Sequence, residues 1–122
     1  MPREDNVRVR RIGVLGGGQL GRMMGLAGIP LGFEFLFLDP GADACAGVAG
    51  GLVQAGFDDE VAARGLADRV DVATYDFENV PEASARALEA VTPLHPSPDA
   101  LGACQDRLVE KSLLTDLGIA VG

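Results

Sequence analysis

The run Arg11-Ile12-Gly13-Val14-Leu15 leads directly into Gly16-Gly17-Gly18-Gln19-Leu20-Gly21, which carries the spacing G-x-G-x-x-G. Glycines at such positions allow positive φ and a close approach of backbone to a ligand. A helix starting there would aim unpaired N–H groups and the positive end of its dipole at the same spot. Two acidic stretches share this setting. Asp39 closes the apolar run Phe33–Leu38, and Asp76-Phe77-Glu78-Asn79 follows the β-type run Val70–Tyr75. Carboxylates accept hydrogen bonds from hydroxyl and amine donors, so these residues suit a polar ligand bearing such groups.

The fingerprint alone leaves the ligand open. A dinucleotide such as NAD fits its letter, with Asp39 available for ribose hydroxyls; equally, the glycines could serve only close packing of helix on sheet, and Asp39 could be a turn residue before Pro40. A P-loop is excluded, because no Gly-Lys-Ser/Thr follows and Lys111 is the only lysine. The only histidine, His95, lies between Pro93 and Pro96 as LHP and reads as structural.

The elements that must position these residues alternate along the chain. A short strand at Ile12–Leu15 precedes a helix over Gln19–Ala27, in which Leu20, Met23, Met24 and Ala27 fall at i, i+3, i+4 and i+7 and are expected to face the core, with Gly28 as cap. A second strand spans Phe33–Leu38, and a weaker third spans Gly51–Ala55. A helix follows from Asp58 to Ala67, then a fourth strand at Val70–Tyr75 and a helix from Pro81 to about Ala90. Thr92–His95 is expected as a short fifth strand. Ser97-Pro98 starts a helical region with an apolar stripe of Leu101, Cys104, Leu108, Leu114 and Leu117, ending at Gly118 and breakable near Gly102. This alternation predicts an α/β fold, a Rossmann-like parallel sheet with helices on both faces, whose ligands sit beyond the carboxyl ends of the strands.

Composition narrows the function classes. With 122 residues, 48% of them hydrophobic, the chain suits one domain burying roughly two-thirds of its unfolded surface. A net charge of −8 argues against nucleic acid and anionic membrane surfaces. Residues 1–10, with Arg3, Glu4, Asp5, Arg8 and Arg10, lack an apolar segment behind them and are expected to be a frayed tail, with the domain at 11–122. No apolar run reaches the ~18 residues of a membrane span, so a cytoplasmic protein is expected. Cys45 and Cys104 are far apart and outside any ligand pair, so both are expected as small buried hydrophobes in a reducing compartment, without disulfide or metal.

Three stretches in order, GGGQLGRM (16–23), TYDFENVP (74–81) and QDRLVEKSLLTDLGI (105–119), make the sequence resemble the amino-terminal, pre-ATP-grasp domain of the N5-carboxyaminoimidazole ribonucleotide synthases, of the ATP-grasp superfamily. The resemblance runs from about Arg11 to the last residue. It implies a fragment of a three-domain ligase, cytoplasmic and homodimeric when complete. Such a ligase uses ATP and Mg²⁺ to activate bicarbonate as carboxyphosphate and carboxylates the exocyclic amine of 5-aminoimidazole ribonucleotide. ATP and Mg²⁺ would be bound mainly by domains that this chain lacks, leaving the fragment inactive alone. Carried over by position, Gly18, Gln19 and Leu20 would line the ribonucleotide pocket, Glu78 would accept its hydrogen bonds, and Asn79 would shape the same strand end. Arg107 would reach the ATP phosphates, with Lys111 one turn on and solvated. Residue-level alternatives are N-terminal helix capping for Glu78 and a surface charge for Arg107. The alternative for the whole chain is a free-standing NAD- or nucleotide-binding module. Two departures stand out: Asp76 occupies a position where the family usually has Glu, and GIAVG ends the chain where a proline-containing hinge is usual.

Overall fold

The computed structural model describes residues 8–122, so Arg3, Glu4 and Asp5 of the expected tail lie outside the described residues. Arg10 is tied to the sheet end: its N–H donates to Asp71 Oδ2 at 2.9 Å and its carbonyl accepts from Glu34 N–H at 2.7 Å. Four parallel strands, β1 (Arg11–Leu15), β2 (Glu34–Asp39), β3 (Gly51–Gln54) and β4 (Val72–Tyr75), lie in the order β3-β2-β1-β4. Among the described residues five α-helices accompany them: α1 (Gln19–Gly28), α2 (Glu60–Ala67), α3 (Glu82–Glu89), α4 (Pro98–Gln105) and α5 (Arg107–Asp116). The α/β fold with a Rossmann-like parallel sheet is as expected.

The strand period of two divides the core. On β2, Leu36 and Leu38 join Leu15, Leu66, Leu88 and Leu101 on the face covered by α2, α3 and α4. Phe35 and Phe37 point the other way, with Val14, Ala46 and Ala49, into a smaller core that α1 covers. Their rings stack, centroids 5.9 Å apart and 9° from parallel.

The face that α1 buries corrects the expectation from its apolar spacing. Gly21, Gly25 and Gly28 face the sheet, Met24 is half-buried, and Leu20, Met23 and Ala27 are exposed, Leu20 and Met23 by 60% and 62%. The two phenylalanine rings occupy the layer where side chains of the helix would otherwise go. A Cβ at Gly28 would lie 2.4 Å from the Phe35 ring, and one at Gly25 would lie 2.7 Å from Ala49 Cβ. The helix can descend onto the rings only along a side without Cβ atoms. Glycines at 21, 25 and 28 have helical spacing themselves, and that pattern names the packed face.

Three further expectations change. Thr92–His95 is not a strand: Leu94 makes one parallel bridge to Ala73, and Pro93 and Pro96, lacking N–H groups, end the ladder on either side. The last helical region breaks at Asp106 rather than Gly102. Asp106 is extended (φ −111°, ψ 122°), and its Oδ1 accepts from Leu108 and Val109 N–H, capping α5. The stripe expected there is not a core stripe, since Leu101 is buried but Cys104, Leu108 and Leu117 are exposed and α5 buries no residue. Cys45 is half-buried and Cys104 exposed, so neither is the buried hydrophobe expected; both are free thiols. No helix among the described residues is long and apolar enough to cross a membrane.

Candidate functional site

The chain leaves β1 toward β2 on one side, while β4 is added on the other side of β1. This makes the carboxyl ends of β1 and β4 the topological switch point, where a parallel sheet opens a crevice. Leu15 pairs with Tyr75, so the next residues, Gly16 and Asp76, meet at the mouth. Asp76 N–H donates to the Leu15 carbonyl at 3.2 Å. Its side chain turns beneath the glycine loop: Oδ2 accepts from Gly21 N–H at 3.3 Å, and Oδ1 rests against Gly16, buried and without a hydrogen-bond partner. Gly16 has φ +121° and leaves no room for a side chain there.

Asp39, at the end of β2, holds the other side of the loop. Its Oδ2 accepts from Gly17 N–H and its Oδ1 from Gly41 N–H, both at 2.9 Å. Thus one carboxylate sits on each end of the loop, on the Gly17 and Gly21 amides, and both bring negative charge to that place. The arrangement opposes a dinucleotide phosphate at the loop and favours a ligand presenting hydroxyl or amine donors. Asp39 organises the loop and the turn that follows it, as the turn-residue alternative expects.

Burial pushes the Asp76 carboxyl above the ordinary aspartate range. The amides of Gly21 and Gly18 oppose that rise, and the neighbouring Asp39 adds to it. The sign for stability follows from linkage. The Asp76 contribution is fully present below the ordinary range and is lost as pH rises through the raised value, so at neutral pH its ionisation works against folding.

Two cavities adjoin along this mouth. One, of about 290 Å³, is lined by Gly18, Gln19, Leu20, Asp39, Phe57, Asp76 and Phe77. The other, of about 260 Å³, is lined by Tyr75, Asp76, Phe77, Glu78, Pro96, Ala100, Leu101 and Cys104. Asp76 and Phe77 form the wall between them. Phe77 meets Phe57 edge to face at 5.1 Å, and Phe57 is fixed by its carbonyl, which accepts from the buried Ser84 Oγ at 2.5 Å. Burial, with a smaller influence of the Cys104 thiol, pushes the Tyr75 hydroxyl above its usual range. Gln105 donates its side-chain amide to the carbonyl of the buried Val80 and so pins the segment carrying Glu78 and Asn79 to α4.

The residues singled out by sequence are therefore brought together in part. Gly18, Gln19 and Leu20 line the first cavity and Glu78 the second; Asn79 is exposed beside them and lines neither. Arg107 is elsewhere: with Glu110, Lys111 and Leu114 it lines a cavity of about 330 Å³ between α5 and the last residues. Lys111 Nζ donates to the Gly122 carbonyl there. His95 is exposed and lines neither mouth cavity. Sequence reasoning missed Phe57 and Phe77 as cavity walls and Asp76 as the support of the loop. The signal for Asp76 was its place one residue beyond a strand end; Phe57 carried none.

A match to the ribonucleotide synthetase preATP-grasp domain model covers residues 9–105. The chain belongs to this family. The pre-ATP-grasp domain is 49% identical over 109 residues to the N5-carboxyaminoimidazole ribonucleotide synthase of Pseudomonas aeruginosa, aligning 89% of this chain with 30% of that protein. To the enzyme of the same name from Brucella melitensis it is 44% identical, over 88% of this chain and 30% of the relative. Among solved structures, the N5-carboxyaminoimidazole ribonucleotide synthetase of Thermus thermophilus superposes with a TM-score of 0.86 at 53% identity, covering 90% of this chain and 31% of that one. The Aspergillus clavatus N5-carboxyaminoimidazole synthase, solved in complex with ADP and 5-aminoimidazole ribonucleotide, superposes with a TM-score of 0.83 at 32% identity over 91% of this chain and 30% of its own. The pre-ATP-grasp domain thus spans about 30% of the length of the curated relatives it matches.

Proposed function

We propose that this chain is the acceptor-binding domain of an ATP-dependent carbon–nitrogen ligase that carboxylates 5-aminoimidazole ribonucleotide with bicarbonate in purine biosynthesis. The observation that carries this reading is the pair of carboxylates, Asp39 and Asp76, seated on the loop amides at the switch point. They leave a mouth suited to hydroxyl and amine donors, which a ribose and an exocyclic amine supply. The Aspergillus clavatus relative, solved with this ribonucleotide, supports the choice of ligand.

In this reading Gly18, Gln19 and Leu20 form one wall, with the Gln19 amide as polar contact, and Glu78 accepts hydrogen bonds from the ribonucleotide across Phe77. Asn79 shapes the strand end that presents Glu78. ATP supplies the phosphoryl group that makes bicarbonate reactive, and the acceptor amine then attacks the activated carbon as phosphate leaves. The role of this chain is to hold that amine and shield it from water. Arg107 would meet the ATP phosphates from its own cavity on α5, apart from the acceptor mouth. Mg²⁺ would be bound mainly by other parts of the ligase. A homodimeric, cytoplasmic enzyme completes the proposal.

Against a free-standing NAD module stands the negative charge that Asp39 and Asp76 bring to the two ends of the same loop. In the ligase carrying this domain, Glu78→Gln and Gln19→Ala are each expected to lower kcat/KM for the ribonucleotide, leaving KM for ATP near wild type. For Glu78→Gln the loss of a charged hydrogen bond, about 1.5–3 kcal/mol, corresponds to about 10- to 160-fold. Steady-state kinetics with either substrate varied would check this; unchanged kcat/KM in both variants would contradict the assignment.

A further inference from the structure

The amino ends of the strands, at the edge of the sheet opposite the mouth, gather charge of the other sign. Arg11 opens β1, Glu34 opens β2, and Asp71 stands one residue before β4, with Arg69 in the turn that leads there from α2. Together with Arg10 they line a cavity of about 290 Å³. A second cavity, of about 210 Å³, shares Arg11, Glu34 and Arg69 with it and is closed by Phe35 and Leu36. The chain carries 18 acidic residues against 10 basic ones, yet here three arginines meet only two carboxylates.

Both of those carboxylates are committed within the protein. Glu34 Oε2 accepts from Arg11 Nε at 3.3 Å and from Nη2 at 3.2 Å, while Arg11 Nη1 donates to the Arg69 carbonyl at 3.2 Å and so fixes the turn that carries Arg69. Asp71 Oδ2 accepts from the Arg10 and Arg11 amides, each at 2.9 Å, and these bonds hold its carboxyl below the usual aspartate range. The guanidinium groups of Arg10 and Arg69, by contrast, make no hydrogen bond or ion pair among the described residues. Two donor forks therefore border one concavity whose own counter-charges are occupied elsewhere.

We propose that this cavity at the amino ends of the strands is a binding site for a small oxyanion of the phosphate class, held between the guanidinium forks of Arg10 and Arg69. A guanidinium presents paired N–H donors that match two oxygens of such an anion and keeps its charge at any physiological pH. The volume lies at the lower end of the range for ligand sites, about 300–1,000 Å³, which suits phosphate or the phosphate ester of a small sugar and is too small for a nucleotide. The five residues of β1, rising about 3.3 Å each, separate this cavity from Gly16 at the mouth. The inference therefore does not rest on the ribonucleotide reading.

The experiment follows the arginine Nε–Hε signals of the ¹⁵N-labelled protein while inorganic phosphate replaces chloride at fixed ionic strength. Saturable shifts are expected at Arg10 and Arg69, at least threefold larger than at Arg22, Arg64 and Arg86. Arg10→Gln and Arg69→Gln should each weaken binding at least threefold; both side chains are exposed, so the fold should survive either change. Glu34→Gln, which returns the Arg11 fork to the cavity, should tighten binding about twofold, a gain that damage to the fold would not produce. Equal shifts at all arginines would reduce the effect to charge screening and overturn the proposal. Unchanged affinity in both arginine variants, or weaker binding in Glu34→Gln, would overturn it as well. Ribose 5-phosphate, as a second probe, separates the sources: binding at least as tight as that of phosphate points to an ester and weaker binding to the free ion, and each supports the site. Saturable shifts with a tetraglutamate peptide and none with either phosphate compound would overturn it in favour of an acidic protein segment.

Discussion

Gly16→Ala is expected to lower stability by about 4 kcal/mol, combining about 1–3 kcal/mol for overpacking with about 1–3 kcal/mol for a strained backbone. The added Cβ would lie 1.6 Å from Asp76 Oδ1, and φ at Gly16 is +121°, a conformation that side chains rarely adopt. Moving the carboxylate aside would relieve the clash only by giving up the Gly21 hydrogen bond. For a domain of this size the fall in melting temperature should be roughly 15 °C, readable by circular dichroism. The control is Gly18→Ala. Gly18 belongs to the same motif, but its Cβ would meet nothing closer than Asp76 Oδ2 at 3.8 Å and its φ is −83°. That variant should stay within about 1 kcal/mol of wild type, the usual cost of a poor N-cap. Equal losses at the two positions would show that the loop does not carry Asp76 as a wedge.

Phe37→Ala is expected to cost about 3–5 kcal/mol. Phe37 is fully buried on β2, stacked on Phe35, and its ring lies within 3.3 Å of where Cβ atoms of Gly21 and Gly25 would stand. It is the floor on which the glycine side of α1 rests. Truncation leaves a cavity that a helix side without side chains cannot fill, so little relaxation offsets the loss. Urea unfolding should show a lower midpoint with an unchanged slope. The same change should weaken ribonucleotide binding although Phe37 lines neither mouth cavity, because the start of α1 loses its support. A midpoint within about 1 kcal/mol of wild type would mean that α1 is carried by other contacts.

The two variants also mark where the sequence was informative. Alternating strands and helices, with Ser97 as a helix cap, predicted the parallel α/β sheet, because short apolar runs and turn residues act locally. The inward face of α1 was misjudged because hydrophobic periodicity assumes that side chains fill the layer between helix and sheet. Here the aromatic rings of β2 fill it, and Leu20 and Met23 are left outside. Likewise the apolar residues of α5 have helical spacing yet none is buried among the described residues. Thr92–His95 has strand-like residues, but its flanking prolines limit it to a single bridge.

At the site, strand-end logic put Gly18, Gln19, Leu20 and Glu78 at the carboxyl edge of the sheet, where they line the mouth cavities, while the roles expected of them came from the resemblance. That logic was insufficient for the answer to the fingerprint. That answer depends on two carboxylates distant in sequence, Asp39 and Asp76, closing on loop amides, which no local pattern encodes. Phe57 reaches the mouth only through the packing of Ser84 against its carbonyl, also a tertiary fact.

The central claim is that a glycine loop already engaged by carboxylates receives a ribonucleotide through its hydroxyl and amine donors and does not receive a dinucleotide. Chemical-shift mapping of the ¹⁵N-labelled protein with 5-aminoimidazole ribonucleotide, and separately with NADH, tests it most directly. Saturable shifts at Gly18, Gln19, Leu20 and Glu78 with the ribonucleotide, and none at these residues with NADH up to millimolar concentration, are the predicted result. Saturable shifts at Gly16–Gly21 with NADH and none with the ribonucleotide would contradict it.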